Sequence, residues 1–72
     1  MEITYTKIQS SNIIGYSYNA AEKKLYIQFG NGREYEYSEV TPEELKQLTE
    51  AESFGKKLRE IIITQKKHRE ID

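Results

Sequence analysis

The segment Gly30-Asn31-Gly32 separates two stretches of alternating apolar residues, and the register this turn permits constrains the fold more than any other feature. Before it, Leu25, Ile27 and Phe29 share one face of a strand; after it, Tyr35 and Tyr37 share one face of another. A two-residue Asn31-Gly32 loop sets Phe29 opposite Glu34 and Ile27 opposite Glu36, which places acids on the apolar side. A three-residue loop, with Gly32 as a left-handed bulge, sets Phe29 opposite Arg33, Ile27 opposite Tyr35 and Leu25 opposite Tyr37. Only the second register gathers the apolar set on one face, so it is the predicted one.

The same alternation recurs upstream in Ile14, Tyr16 and Tyr18, and pairing Tyr16 with Ile27 leaves Asn19 to Lys24 as a polar turn. Strands are therefore predicted near 13–19, 24–30 and 33–39, with a further edge strand within 1–9 as an open alternative. Downstream, Thr41, Pro42 and Glu44 form a helix start of the Thr-x-x-Glu type. Leu45, Leu48 and Ala51 follow as a buried stripe. Ser53 and Gly55 interrupt the pattern, and Phe54, Leu58, Ile61 and Ile62 mark a second helix. Ile61-Ile62-Ile63-Thr64 is β-branched throughout and would also suit a strand, but the helical spacing fits better. The segment 64–72 reads as a basic helix end or tail. The expectation is an α+β fold, a three- or four-stranded antiparallel meander packed on one face by two C-terminal helices, in a single domain over 1–72.

A chain of 72 residues holds one small core and is marginal in stability without a supplement. Cysteine is absent and His68 is the sole histidine, so neither a disulfide framework nor a zinc cluster is available. Self-association is the expected supplement, and no metal or other cofactor is called for. No apolar run approaches the ~20 residues that span a bilayer, and the first residues lack a basic start followed by an apolar stretch. A cytoplasmic protein is expected. The net charge of −1 offers no bulk attraction to nucleic acid, but its distribution is uneven. Residues 1–55 carry five Lys/Arg against nine Asp/Glu, and residues 56–72 carry six against three.

The order of these residues resembles the KTSC family, a short domain that occurs at the C-terminus of some lysyl-tRNA synthetases and as a free-standing bacterial or phage protein. The likeness runs from Ser10-Ser11-Asn12-Ile13 and Gly15-Tyr16 through Leu25-x-Ile27-x-Phe29, Gly32 and Tyr35-Glu36-Tyr37. It continues in Val40, Pro42, Ala51-x-Ser53-x-Gly55, Leu58 and Ile62, covering about residues 8–62. Leu58 stands where an aromatic is common in the family, and Arg59 where a polar amide is common. The resemblance implies a nonenzymatic domain for which RNA binding has been suggested.

The segment Ser53-Phe54-Gly55-Lys56-Lys57 is the strongest candidate site. If Ser53 caps the second helix, the amides of Phe54, Gly55 and Lys56 point outward at its positive end, and Lys56, Lys57 and Arg59 supply charge for a phosphate or carboxylate. The plainer alternative is that Ser53 caps and Gly55 permits close packing. Ser10, Ser11 and Asn12 would add hydroxyl and amide contacts, or serve as turn residues. Tyr16, Tyr35 and Tyr37 are candidates for base stacking and equally for core packing. Tyr26 points to the other face and is a candidate oligomer contact. His68, among Lys66, Lys67, Arg69 and Glu70, reads as solvated. The pairs Glu34/Glu36 and Glu43/Glu44 suit a wet strand face and a helix start. No nucleophile–base pair or phosphate-binding glycine loop is present. The reading that follows is a nonenzymatic module binding a nucleotide-like small molecule or short RNA. Alternatives are a homo-oligomer that sequesters a nucleotide-derived signal and a protein-interaction domain.

Overall fold

A computed structural model describes residues 3–71. Five strands form one antiparallel sheet in sequence order: β1 (Thr6–Lys7), β2 (Ile13–Asn19), β3 (Lys24–Phe29), β4 (Glu34–Tyr37) and β5 (His68–Ile71). Between β4 and β5 lie helix α1 (Pro42–Glu50) and helix α2 (Phe54–Leu58), the latter continued by a π-helical turn over Arg59–Ile63.

The central hairpin adopts the register that the apolar pattern requires. Leu25 faces Tyr37 and Ile27 faces Tyr35, while the Phe29 amide donates to the Arg33 carbonyl at 2.8 Å. Gly32 sits at φ 88°, the left-handed conformation that ends a three-residue loop and that a side chain would strain. Tyr16 pairs with Ile27 as the upstream alternation predicts, but a bulge between Ile13 and Gly15 turns Ile13 inward in place of Ile14, which is 40% exposed. Leu25, Ile27, Val40, Leu48, Leu58 and Ile62 are fully buried and form the core between the sheet and the helices.

Helix α1 starts as its sequence dictates. The Glu44 amide donates to Thr41 Oγ1 at 3.2 Å, and the Thr41 amide donates to Glu44 Oε1 at 2.9 Å. Two otherwise orphaned donors are thereby satisfied, and such a cap contributes about 1 kcal/mol. Phe54, Leu58 and Ile62 recur every four residues and are all buried, which holds the second helical segment onto the sheet. Its continuation is a π turn, through the β-branched run that left its form ambiguous.

Two features differ from expectation. Residues 64–72, read as a helix end or tail, turn back at the Gln65 and Lys66 amides, both bonded to the Ile62 carbonyl, and provide β5 against β4. The expected edge strand within 1–9 is realised as the two residues of β1. Met1, Glu2 and Asp72 lie outside the described residues.

The second difference is the outer face of the sheet, expected to be wet. Tyr26 there is 5% exposed and Glu36 6% exposed. Arg69 of β5 reaches across to Glu36 with two bonds of 3.2 Å, and Lys24 Nζ lies 3.4 Å from the same carboxylate. From the other edge, the Tyr5 hydroxyl donates to Glu34 at 2.6 Å. Gly15 makes that crossing possible: a Cβ there would sit 2.6 Å from the Thr6 carbonyl oxygen and 3.2 Å from the Tyr5 Cβ. The Arg69 guanidinium holds the Glu36 carboxyl below the usual carboxylate range against the opposing effect of burial, and burial pushes the Tyr5 phenol up.

Candidate functional site

Beside Phe29, at the β3–β4 turn, the inner face of the sheet borders a cleft of about 290 Å³. One wall is the loop Ser10-Ser11-Asn12 that leads into β2. It is held in place by the Gly30 amide, which donates to the Asn12 carbonyl at 2.7 Å, and by Ser10 Oγ, which accepts from the Asn12 amide at 3.4 Å. The other wall is the start and end of α2, with Ser53, Gly55, Lys56 and Arg59. Ile13, Phe29, Leu58 and Ile63 form an apolar floor.

Ser53 caps α2 in the expected way, accepting from the Lys56 amide at 3.2 Å, while the Ser53 carbonyl accepts from the Lys57 amide at 3.1 Å. The Lys56 amide is thus occupied, contrary to the expectation that it points outward free. Gly55 brings the two walls together: a Cβ at this position would lie 3.5 Å from both Ser10 Oγ and Ile13 Cδ1. The π turn begins at Arg59 and ends at Ile63, and both residues line the cleft.

Charge in the cleft is one-sided. Lys56 and Arg59 are exposed, no carboxylate lines the cavity, and neither cation has an ion-pair partner among the described residues. An anion entering here meets two cations and the hydroxyls of three serines over an apolar floor that excludes water from one side. Charge-assisted hydrogen bonds are about twice as strong as neutral ones, so a phosphate or carboxylate suits this arrangement.

Seven of the eight residues expected to bind phosphate converge on this cleft. The eighth, Lys57, lies outside it: its Nζ lies 3.8 Å from Glu60, in an adjoining groove beside Ala51 and Glu52 whose lining shares Ser53 and Lys56 with the cleft. The stacking candidates disperse. Tyr37 is 3% exposed and belongs to the core, with its hydroxyl pushed up to about 12 by burial and then by the neighbouring Tyr35. Tyr16 stacks on Phe54 at a centroid distance of 5.4 Å, in a different groove with Leu48 and Ala51. Tyr35 alone lies near the site, in an open cleft of about 490 Å³ that adjoins the first along Ser11, Asn12 and Phe29. Tyr26, the expected oligomer contact, is 5% exposed, covered largely by the protomer itself. His68 is exposed as expected, edge-on to Tyr35 at 6.0 Å.

Phe29, Leu58 and Ile63, which alternation and helical spacing place in the core or in the helix, also form the cleft floor with Ile13, a role their local pattern does not show. The signal for Phe29 was its place at the end of its strand, where a core face runs out. Among the described residues no group of three or more His, Cys, Asp or Glu is arranged to hold a metal, and no helix is long and apolar enough to cross a membrane.

Comparison with known proteins agrees with this architecture. The family model described as the KTSC domain matches residues 9–65. An uncharacterized protein of Stutzerimonas stutzeri (strain A1501) is 32% identical over 54 residues, covering 75% of this chain and 76% of that protein. The crystal structure of a KTSC domain protein from Yersinia pestis superposes with a TM-score of 0.91 at 24% identity, over 99% of this chain and 100% of that one. At that identity the superposition speaks for the fold alone.

Proposed function

The chain belongs to the KTSC domain family, and on that premise we propose that it is a nonenzymatic binding module for a phosphate-bearing ligand, a nucleotide or a short single-stranded RNA. The observation that carries this reading is the convergence of Lys56 and Arg59 on a serine-lined cleft without a single acid. Lys24, Lys57, Lys66 and Arg69 are matched by acids of the protein, while Lys7, Lys23, Lys46 and Lys67, also without an ion pair among the described residues, do not line the cleft. Two cations unpaired in this way, aimed at the same hollow, leave a site for an external anion. No pair of groups in the cleft is suited to nucleophilic or general acid–base work, since Ser10, Ser11 and Ser53 have no basic residue arranged to take a proton. We place the protein in the cytoplasm on the same reading, because nucleotides and RNA are found there.

Titration of the protein with pyrophosphate and with a short oligoribonucleotide at low ionic strength tests this. The double variant Lys56→Gln/Arg59→Gln should lose at least about tenfold in affinity, in line with two charge-assisted contacts, and should flatten the salt dependence. Lys57→Gln, in the adjoining groove, should bind as the parent does. A double variant that binds both probes unchanged removes the reading.

A further inference from the structure

The cation-bearing cleft does not end at Phe29. It continues across that side chain into the second cleft, and the two share Ser11, Asn12 and Phe29 as a common rim. Their chemistry differs sharply. The first has Lys56 and Arg59; the second is lined by no charged side chain and has the Gly30-Asn31 turn and the Tyr35 ring. Phe29 and Tyr35 meet edge to face, with centroids 5.5 Å apart and planes at 79°, so the half-buried Tyr35 is braced in the mouth of the second cleft. Asn31 Oδ1 accepts from the Arg33 amide at 3.0 Å, which fixes the side chain and leaves its NH2 group to donate.

A hollow that is cationic at one end and aromatic with a fixed amide at the other fits a molecule with an anion at one end and a flat, hydrogen-bonding ring at the other. We propose that the ligand is a single nucleoside phosphate, with its phosphates at Lys56 and Arg59 and its base against Tyr35 and Asn31. This rests on the preceding reading and narrows it. A polynucleotide would carry phosphates past both ends, yet the cations that line the two clefts sit at one end only, and Arg33, beside Tyr35, is matched by Glu70 at 4.0 Å; strand-binding grooves instead follow the backbone with charge. Base stacking on an aromatic side chain is a strong enough contact to distinguish the nucleotide from its bare phosphate.

Calorimetric titration with the four ribonucleoside triphosphates, pyrophosphate and a six-nucleotide RNA of mixed sequence tests the assignment. At least one triphosphate should bind about tenfold or more tighter than pyrophosphate, and Tyr35→Leu should reduce it to the pyrophosphate level while pyrophosphate itself binds as before. Nucleotide-induced shifts of the Tyr35 ring resonances in the parent protein, absent with pyrophosphate, give a second readout that survives a poorly folded variant. If every triphosphate binds no better than pyrophosphate and the Tyr35 resonances stay put, the assignment fails while the phosphate site stands. An RNA that binds tighter than every triphosphate also overturns it, in favour of a strand-binding groove. Absence of binding by all the probes removes both readings together.

Discussion

The outer sheet face and the inner-face cleft both carry cations, but they use them oppositely. On the outer face Arg69 and Lys24 close on Glu36, and, away from it at the base of α1, Lys66 Nζ reaches Glu44 at 3.0 Å and the Glu39 carbonyl at 2.8 Å. In the cleft, Lys56 and Arg59 have no ion-pair partner among the described residues. The difference teaches that local basicity is a poor guide to a binding site in so small a chain. Of the six cations in residues 56–72, Arg69, Lys66 and Lys57 are engaged with acids of the protein, Lys67 is exposed away from the cleft, and Lys56 and Arg59 line it together.

If the outer face is a structural clamp, disturbing it should cost stability and leave the cleft's affinity intact in the folded fraction. The largest effect is expected from Gly15→Ala, which places a Cβ 2.6 Å from the Thr6 carbonyl and forces β1 and the Tyr5 crossing away. Such overpacking costs about 1–3 kcal/mol, a substantial part of the stability of a domain this size, and denaturant unfolding would show it. Next comes Arg69→Ala, which leaves the buried Glu36 with Lys24 alone. A Tm drop on the order of 5–10 °C is expected, with much of it recovered by adding Glu36→Leu, because removing the buried acid as well abolishes the unpaired charge. No recovery in the double variant would mean that the clamp acts through strand pairing rather than charge.

Acid titration separates the two regions in a different way. Glu36 is held low by Arg69, and Glu44 is also lowered, since the Thr41 amide and Lys66 outweigh the upward effect of its burial. A depressed carboxylate contributes stability that is fully present above its unfolded value of about 4.3 and is lost as pH falls through the folded value. Unfolding should therefore set in below about pH 4, monitored by circular dichroism, and Arg69→Ala should begin to unfold at higher pH than the parent. At the alkaline end Tyr37, raised to about 12, acts in the opposite sense: its contribution is complete below about pH 10 and is lost as pH rises toward 12. The smallest effect belongs to the cleft. Lys56→Gln should change stability by no more than about 0.5 kcal/mol, as an exposed and unpaired residue should, and a larger loss would indicate a structural role for Lys56.

Much of this molecule is legible in the chain because the signals are local. The three-residue turn, the capping box at Thr41 and the Ser53 cap each follow from residues within a few positions of one another, and the pairing of Tyr16 with Ile27 follows from alternation on either side of one polar turn. The terminal strand is not, because His-Arg-Glu-Ile has no apolar alternation and its partners lie more than 30 residues away. For the same reason the outer face could be assigned its side chains but not its cover: alternation says where Glu34 and Glu36 point, and nothing local says that Tyr5 will cross to the first and Arg69 to the second.

Alternation and turn chemistry determined the meander, its register and the start of both helices, since a period-two or capping pattern operates over the distance of one turn of backbone. Tertiary structure decided that Ser10–Asn12 and Ser53–Arg59 form opposite walls of one cleft, and that Lys56 faces it while its neighbour Lys57 turns to Glu60. Adjacent helical residues diverge by about 100°, so which of two lysines meets a loop some 40 positions earlier depends on how the helix is rotated on the sheet. That rotation is set by the burial of Phe54, Leu58 and Ile62 against strands remote in sequence, and no stretch of the chain contains it by itself.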